Sequence, residues 1–307
     1  MSEQKHTILA GTPVAGRDVF VLSGGAARGA VHVGMMQTLL EGGIVPHGLV
    51  GTSVGALNAA FMGWHTSLDR VHELAEHWAR LQTRDIFPGG TWTRIAHLAQ
   101  RHTYLFSSDA LRDLICRWVP VSRLEELTTP VRVTTTPLAG DGAVYHDRGD
   151  LSSVLLASAA APGVFAPVHL DAPDGTRLLH VDGGVSDLVP VAGAAGLAPT
   201  RVFVLDASVP ARLPQGRTPI EVLVASLGVA MRARPMADLG PDVAVHHLRV
   251  PDLGIRMTDF SRTAEHLALG RRAAADLLDR LATEDVAVPL RPAVRHHRLR
   301  DLFGRAA

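Results

Sequence analysis

From Asp18 the chain alternates between short apolar runs and longer segments with apolar residues at helical spacing. "DVFVLS" (Asp18 to Ser23) is β-branched and ends at glycines, which predicts a buried strand. The segment after it places Val31, Met35 and Leu39 on one helical face and stops at Gly42-Gly43. A second strand at Leu49-Val50 leads through "GTSVG" into a helix from Val54 to Trp64. Ser67 to Val119 is helical in period, with Ser67 and Ser107 or Ser108 as N-caps. Strands return at "PVRVTTTPL" and "GAVYHD", a helix at Leu151 to Ala160, and strands near Val164 to Leu170 and Leu178 to Val181. The pattern closes with a strand "RVFVLDAS", a helix "PIEVLVASLGVAMRA", a strand "DVAVHHLRV" and a long helix "SRTAEHLALGRRAAADLLDRL". Strands alternating with helices predict an α/β fold, a mainly parallel sheet between helical layers. The expected organisation is an arm at 1–17, one domain at 18–285 and a basic tail at 286–307.

Composition narrows the chemistry. Across 307 residues the formal net charge is zero, so no bulk field draws the chain to nucleic acid. Cys116 is the single cysteine, which excludes an internal disulfide and fits a reducing, cytoplasmic setting. Lys5 is the single lysine, so Ser-Lys dyads, Schiff bases and P-loop lysines have no candidate within the domain. No run reaches the ~20 apolar residues of a membrane span. The pair His72 and His77 around Glu73 is spaced five apart and points to different faces, so no metal site is expected there.

Two strand-to-helix turns remain. The first, "SGGAARG" at Ser23 to Gly29, exposes N–H groups at a helix N-terminus, suited to a negative oxygen. A dinucleotide site fits poorly, because Gly24-x-Ala26 breaks the GxGxxG spacing and the second strand ends in Val50-Gly51 without an acid. An oxyanion hole fits better, where each donor is worth ~3–4 kcal/mol. The second turn sets Ser53 between Gly51 and Gly55 after a strand and before a helix, the context of a nucleophile elbow. A base for it is offered by Asp182 at the end of an apolar strand, just before Gly183-Gly184.

In this order, "LSGGAARGAVHVG", "GTSVGAL", "ASAAAPGVFAPV" and "VDGG" closely resemble the patatin-like phospholipase family from about Asp18 to Val191. The resemblance implies a three-layer α/β/α sandwich, no cofactor, and acyl hydrolysis of lipid esters. Carried over by position, Ser53 is the nucleophile, Asp182 the base of a Ser-Asp dyad, and Gly24, Gly25 and Ala26 the oxyanion loop. Arg28 beside them either binds substrate phosphate or holds the loop through a carboxylate. Two positions depart from the family: Ala26 replaces a usual glycine, where a left-handed backbone would cost roughly 1–2 kcal/mol, and Leu188 stands where asparagine is common. The competing expectations are a triad of Ser53, Asp206 and His246 or His247, and an inactive lipid- or nucleotide-binding module. The tail, with five arginines against one aspartate and Leu299, Leu302 and Phe303 at helical spacing, reads as solvated, or as a peripheral contact with a membrane surface.

Overall fold

The computed structural model describes residues 16–87, 104–172, 174–208, 219–254 and 258–287. The predicted arm and tail therefore lie almost wholly outside the described residues. In chain order the elements are β1 (Asp18–Leu22), a 3-10 turn (Ala26–Gly29), α1 (Ala30–Glu41), β2 (Gly48–Thr52), α2 (Val54–Trp64), α3 (Leu68–Arg80) and α4 (Thr83–Ile86). There follow α5 (Asp109–Trp118), β3 (Val131–Pro137), β4 (Val144–His146), α6 (Leu151–Ser158), β5 (Val168–Asp171) and β6 (Arg177–Asp182). The chain then runs through α7 (Val191–Ala194), β7 (Arg201–Asp206), α8 (Pro219–Arg232), β8 (Ala244–Arg249) and α9 (Thr263–Ala287).

The strands form one sheet in the order β5-β6-β3-β2-β1-β7-β8, with β4 also on β3. Along the order from β3 to β8 the pairing is parallel; β4 and β6 pair antiparallel with β3, and β5 pairs antiparallel with β6. The strand expected from Val164 begins only at Val168, because Val164 N–H closes a turn onto Ala161 C=O and Pro167 has no N–H to give a ladder.

The central strands carry unbroken apolar stretches, Val19–Leu22 in β1 and Val202–Leu205 in β7, because both faces are covered. Phe20, Leu22, Leu49, Phe203 and Leu205 face the larger core with α1, α2 and α3. The alternate residues Val19, Val21, Val50, Val202 and Val204 meet Val191 and Ala194 of α7 on the opposite face. This is the α/β/α layering the sequence implied.

Helices α1 and α9 cross with their backbones in near contact. A Cβ at Gly34 would stand 2.1 Å from Leu267 carbonyl oxygen, and one at Gly270 would stand 2.2 Å from Val31 carbonyl oxygen. Helix propensity favours alanine over glycine by about 1 kcal/mol, but here the obstructing atoms are backbone and cannot rotate aside. Gly34→Ala is therefore expected to destabilise the fold by about 1–3 kcal/mol, the range for overpacking, read as a lower urea midpoint. An unchanged or higher midpoint would contradict this crossing.

Candidate active site

Register alone brings the expected residues to one level. Thr52 of β2 pairs with Thr134 of β3, and the next β3 residue, Thr135, pairs with Asp182 of β6. Ser53, one step beyond Thr52, thus arrives level with Asp182, at the carboxyl ends of β1, β2 and β3 where open α/β sheets form their clefts.

The glycines flanking Ser53 are required by close packing. A Cβ at Gly51 would come within 2.5 Å of the backbone of Gly55 and Ala56, and a Cβ at Gly55 would lie 2.3 Å from Leu22 carbonyl oxygen. Only bare backbone lets α2 start so close to β1 and fold back on β2. The turn places Ser53 at φ 55°, ψ −124°, a conformation that costs a residue with a side chain on the order of 1–3 kcal/mol. It is held by Ser53 N–H donating to the buried Ser158 hydroxyl (2.9 Å) and by Ser53 C=O accepting from Ala56 N–H (2.9 Å). Ser158 lies inside the "ASAAAPGVF" stretch, but nothing in a serine flanked by alanines tells that it caps another serine's amide.

Asp182 is buried, with 5% of its surface exposed. Its Oδ1 accepts from Gly184 N–H at 2.7 Å, and Thr136 Oγ1 donates to its carbonyl oxygen at 2.9 Å. Burial pushes its carboxyl up from 3.8 to about 6, while the Gly184 amide and a hydrogen bond with the Ser53 side chain pull the other way. No cation among the described residues enters this balance. The neighbouring histidines, His146 and His180, share the Thr135 hydroxyl at 2.8 Å each, and burial pushes both pKa values down, His146 to about 4. Gly183 is another forced glycine, since its Cβ would meet Thr134 carbonyl oxygen at 2.3 Å.

The first turn runs alongside the serine: a Cβ at Gly24 would stand 3.6 Å from Ser53 Cβ. Gly24 itself departs from the expectation for the oxyanion loop. Its N–H donates to Leu188 C=O at 2.9 Å and is not available to a substrate oxygen. The N–H groups of Gly25 and Ala26 meet no acceptor among the described residues. Ala26 has φ 50°, so the left-handed backbone of the family glycine is kept despite its Cβ. Arg28 is buried, 7% exposed; its Nε donates to Ala207 C=O at 3.0 Å, tying the turn to the end of β7, and the carboxylates of Asp252 and Asp206 act on it electrostatically. Ser23 reinforces the same joint, accepting from Ala207 N–H at 2.9 Å.

Leu188 joins the two loops. Its carbonyl takes the Gly24 N–H, and its Cδ1 would be 2.7 Å from a Cβ at Gly24 and 3.0 Å from one at Gly184. Met231 Cε stands 2.6 Å from that same Gly184 position. These apolar groups wall the turn beside Asp182, where a polar asparagine would have brought hydrogen bonds.

The residues of the expected triad lie otherwise. Asp206 is engaged by His247 Nε2 (2.9 Å) and by Ser208 (2.5 Å), and His246 stacks on Phe203 at 5.1 Å. Ser53 is not among the groups acting on Asp206. His72 bonds to Gln37 and His77 stacks on Trp118, so the two diverge. His32 is fully buried under the first turn, and desolvation pushes it down to about 4.

Such a strand-turn-helix serine next to a desolvated carboxylate defines a class of α/β proteins with an elbow at the sheet's carboxyl end. The family model for patatin-like phospholipase matches residues 20–195, and the chain belongs to that family. A Mycobacterium tuberculosis protein described as an uncharacterized NTE family protein is 32% identical over 181 residues, 59% of this chain and 46% of that one. Human patatin-like phospholipase domain-containing protein 6 is 28% identical over 199 residues, 65% of this chain and 14% of that one. The chain thus spans about half the length of its mycobacterial relative and far less of the human one. Among solved structures, VipD from Legionella pneumophila aligns with a TM-score of 0.45 at 14% identity, covering 86% of this chain and 67% of that one.

The buried carboxyl fixes a pH-dependent stability. Because its folded pKa is raised above 3.8, the folded state holds the proton more tightly than the unfolded chain. The resulting stabilisation is full below pH 3.8 and is lost as pH rises through about 6. At pH 8 the ionised group costs about 3 kcal/mol relative to a neutral one. Asp182→Asn is expected to raise the urea midpoint at pH 8, with the difference from wild type closing as the pH falls below 4. A destabilised variant at pH 8 would show that the ionised carboxylate is favourably solvated.

Proposed function

We propose that the protein hydrolyses carboxylic esters of lipids, in the manner of a phospholipase A or lysophospholipase, through a Ser53-Asp182 dyad. The observation that carries this reading is the strained Ser53 brought by the β2–β3–β6 register level with Asp182, a buried carboxyl whose pKa burial raises to about 6. A carboxylate of ordinary pKa is a poor base for a hydroxyl; desolvation makes this one stronger while leaving it ionised at neutral pH.

In the first half-reaction Ser53 Oγ attacks the ester carbonyl carbon as its proton passes to Asp182. The tetrahedral oxyanion faces the N–H groups of Gly25 and Ala26, two donors from one turn. Collapse breaks the carbon–oxygen bond of the ester, and the departing alcohol takes the proton from Asp182, leaving an acyl group on Ser53. Water then attacks the acyl-enzyme, Asp182 accepting its proton, and release of the fatty acid returns the proton to Ser53. Within this scheme Arg28 and Leu188 hold the donor turn in place. Among the described residues no helix is long and apolar enough to cross a membrane, so a lipid substrate would be met at a surface or as dispersed monomers.

One observation favours a second reading. Asp206 and His247 form a ready acid-histidine pair, which a triad would need. The two schemes separate by substitution. A fluorophosphonate is expected to add its covalent mass to Ser53, and Asp182→Asn is expected to lower turnover of a short soluble ester by about 10²–10⁴, while His246→Gln and His247→Gln each keep most of it. Collapse in either histidine variant with near-normal Asp182→Asn would overturn the dyad. No labelling of Ser53 would leave a binding module.

A further inference from the structure

The loop that leaves Asp182 returns to both other parts of the site. Its turn is closed by Asp187 N–H donating to Gly183 C=O at 2.8 Å. Beyond it, Asp187 C=O accepts from the buried Thr52 hydroxyl at 2.9 Å, and Leu188 C=O accepts from Gly24 N–H at 2.9 Å. Thr52 precedes Ser53 and Gly24 precedes Gly25, so adjacent carbonyls of one loop hold the nucleophile turn and the donor turn. The spacing of all three parts then depends on where Asp187 is held.

Tyr145 of β4 is in register with Thr134 of β3, and Thr134 with Thr52 of β2, so the three side chains share one face of the sheet. From the two ends of that row Thr52 and Tyr145 grip Asp187, the first at its carbonyl and the second at its carboxylate, where the phenol donates to Oδ2 at 2.6 Å. The phenol ring is wedged in place: a Cβ at Gly193 of α7 would stand 2.7 Å from Tyr145 Cδ1 and 2.7 Å from Val50 Cγ1, so α7 meets both only as bare backbone. Burial first, then the Asp187 carboxylate, raises the phenol above its ordinary pKa, while Arg132 acts against this, so Tyr145 keeps its proton and donates it. Burial raises the Asp187 carboxyl as well, opposed by the phenol and by Arg234, which donates to the neighbouring Ser186 C=O at 2.6 Å. A short hydrogen bond from a fixed phenol to a carboxylate is of the stronger, charge-assisted kind. Leu188 is apolar and adds no side-chain hydrogen bond, so the tie to β4 rests on Asp187.

We propose that Tyr145 and Asp187 are positioning residues for ester hydrolysis: their hydrogen bond anchors the loop after Asp182 to the sheet and so fixes the spacing of Ser53, Asp182 and the Gly25 and Ala26 amides. This rests on the hydrolase reading and adds to it two residues that touch no reacting atom. The pair acts through the loop carbonyls, and what it requires of residue 187 is a hydrogen-bond acceptor for the phenol, not a negative charge.

The test uses the full chain with Tyr145→Phe, which removes one oxygen and leaves the ring packed on Gly193 and Val50. On a short soluble ester kcat is expected to fall about ten-fold or more, with KM within about two-fold of wild type, because geometry is lost and binding is not. Amide exchange at Gly24 and Asp187, followed by NMR, is expected to quicken about ten-fold, the scale of one hydrogen bond to a charged group. Asp187→Asn, which keeps an acceptor for the phenol, is expected to stay within about three-fold of wild type in both measurements, while Asp187→Leu reproduces Tyr145→Phe and the double variant is no worse than either single one. Unchanged kcat in Tyr145→Phe, unchanged exchange at Gly24, additive losses in the double variant, or an Asp187→Asn as impaired as Asp187→Leu would each overturn the proposal. A lower urea midpoint with kcat and Gly24 exchange intact would do the same, since the phenol would then serve only the fold. If wild type hydrolyses no ester, the hydrolase reading fails by itself, and exchange at Gly24, which needs no turnover, still decides whether the pair holds the loop.

Discussion

The close approach of α2 to β1 is the constraint from which the site follows. With no Cβ at Gly55, the first turn of α2 lies against the carbonyls of Leu22 and Ser23; with none at Gly51, the strand can reverse into it. The chain between them has no choice but a positive φ at position 53. The cost falls on the one residue whose side chain is wanted at the tip, and the hydroxyl of Ser158 and the onset of α2 hold it there. The same packing sets the first turn of the chain beside the serine, because Gly24 is fastened to Leu188 and Arg28 and Ser23 to Ala207. Ser53 and the turn bearing the Gly25 and Ala26 amides are thus positioned by close packing and hydrogen bonds, and few charged groups are involved.

The electrostatics complement this. Among the described residues no cation acts on Asp182, and burial lowers the pKa of the imidazoles nearby, His146 and His180. A carboxylate kept from both water and positive charge is a stronger base and a strained element of the fold. Stability and basicity therefore oppose each other at one residue, a trade often met at functional sites. Leu188 and Met231 sharpen it by presenting hydrocarbon to the turn after Asp182.

Much of this was legible in the sequence for a physical reason. Strands buried on both faces are continuously apolar, as in "VFVL" and "VFVLD", and helices with one dry face repeat at 3.6 residues, as in α3. The alternation of the two kinds carries the topology, and Ser53 and Asp182 stand where it turns. What escaped is what depends on tertiary pairing. Nothing local tells that Gly24 N–H is spent on Leu188, that Arg28 finds a carbonyl, or that Ser158 caps the elbow. The His247 interaction with Asp206 is a register effect across β7 and β8, invisible to either strand alone.

The central claim is that proton transfer from Ser53 is governed by the desolvated carboxyl of Asp182. Its pKa, near 6, lies close to an ordinary histidine value of about 6.5, so a pH profile of activity alone does not identify the base. The direct measurement is the rate of fluorophosphonate reaction at Ser53 against pH, set beside the carbon-13 titration of the Asp182 carboxyl in the same protein. The account predicts that the two curves coincide near pH 6 and that the acidic limb keeps its position in His247→Gln. A carboxyl titrating near 4 while the labelling limb stays near 6.5, or a limb that vanishes with His247, would contradict it.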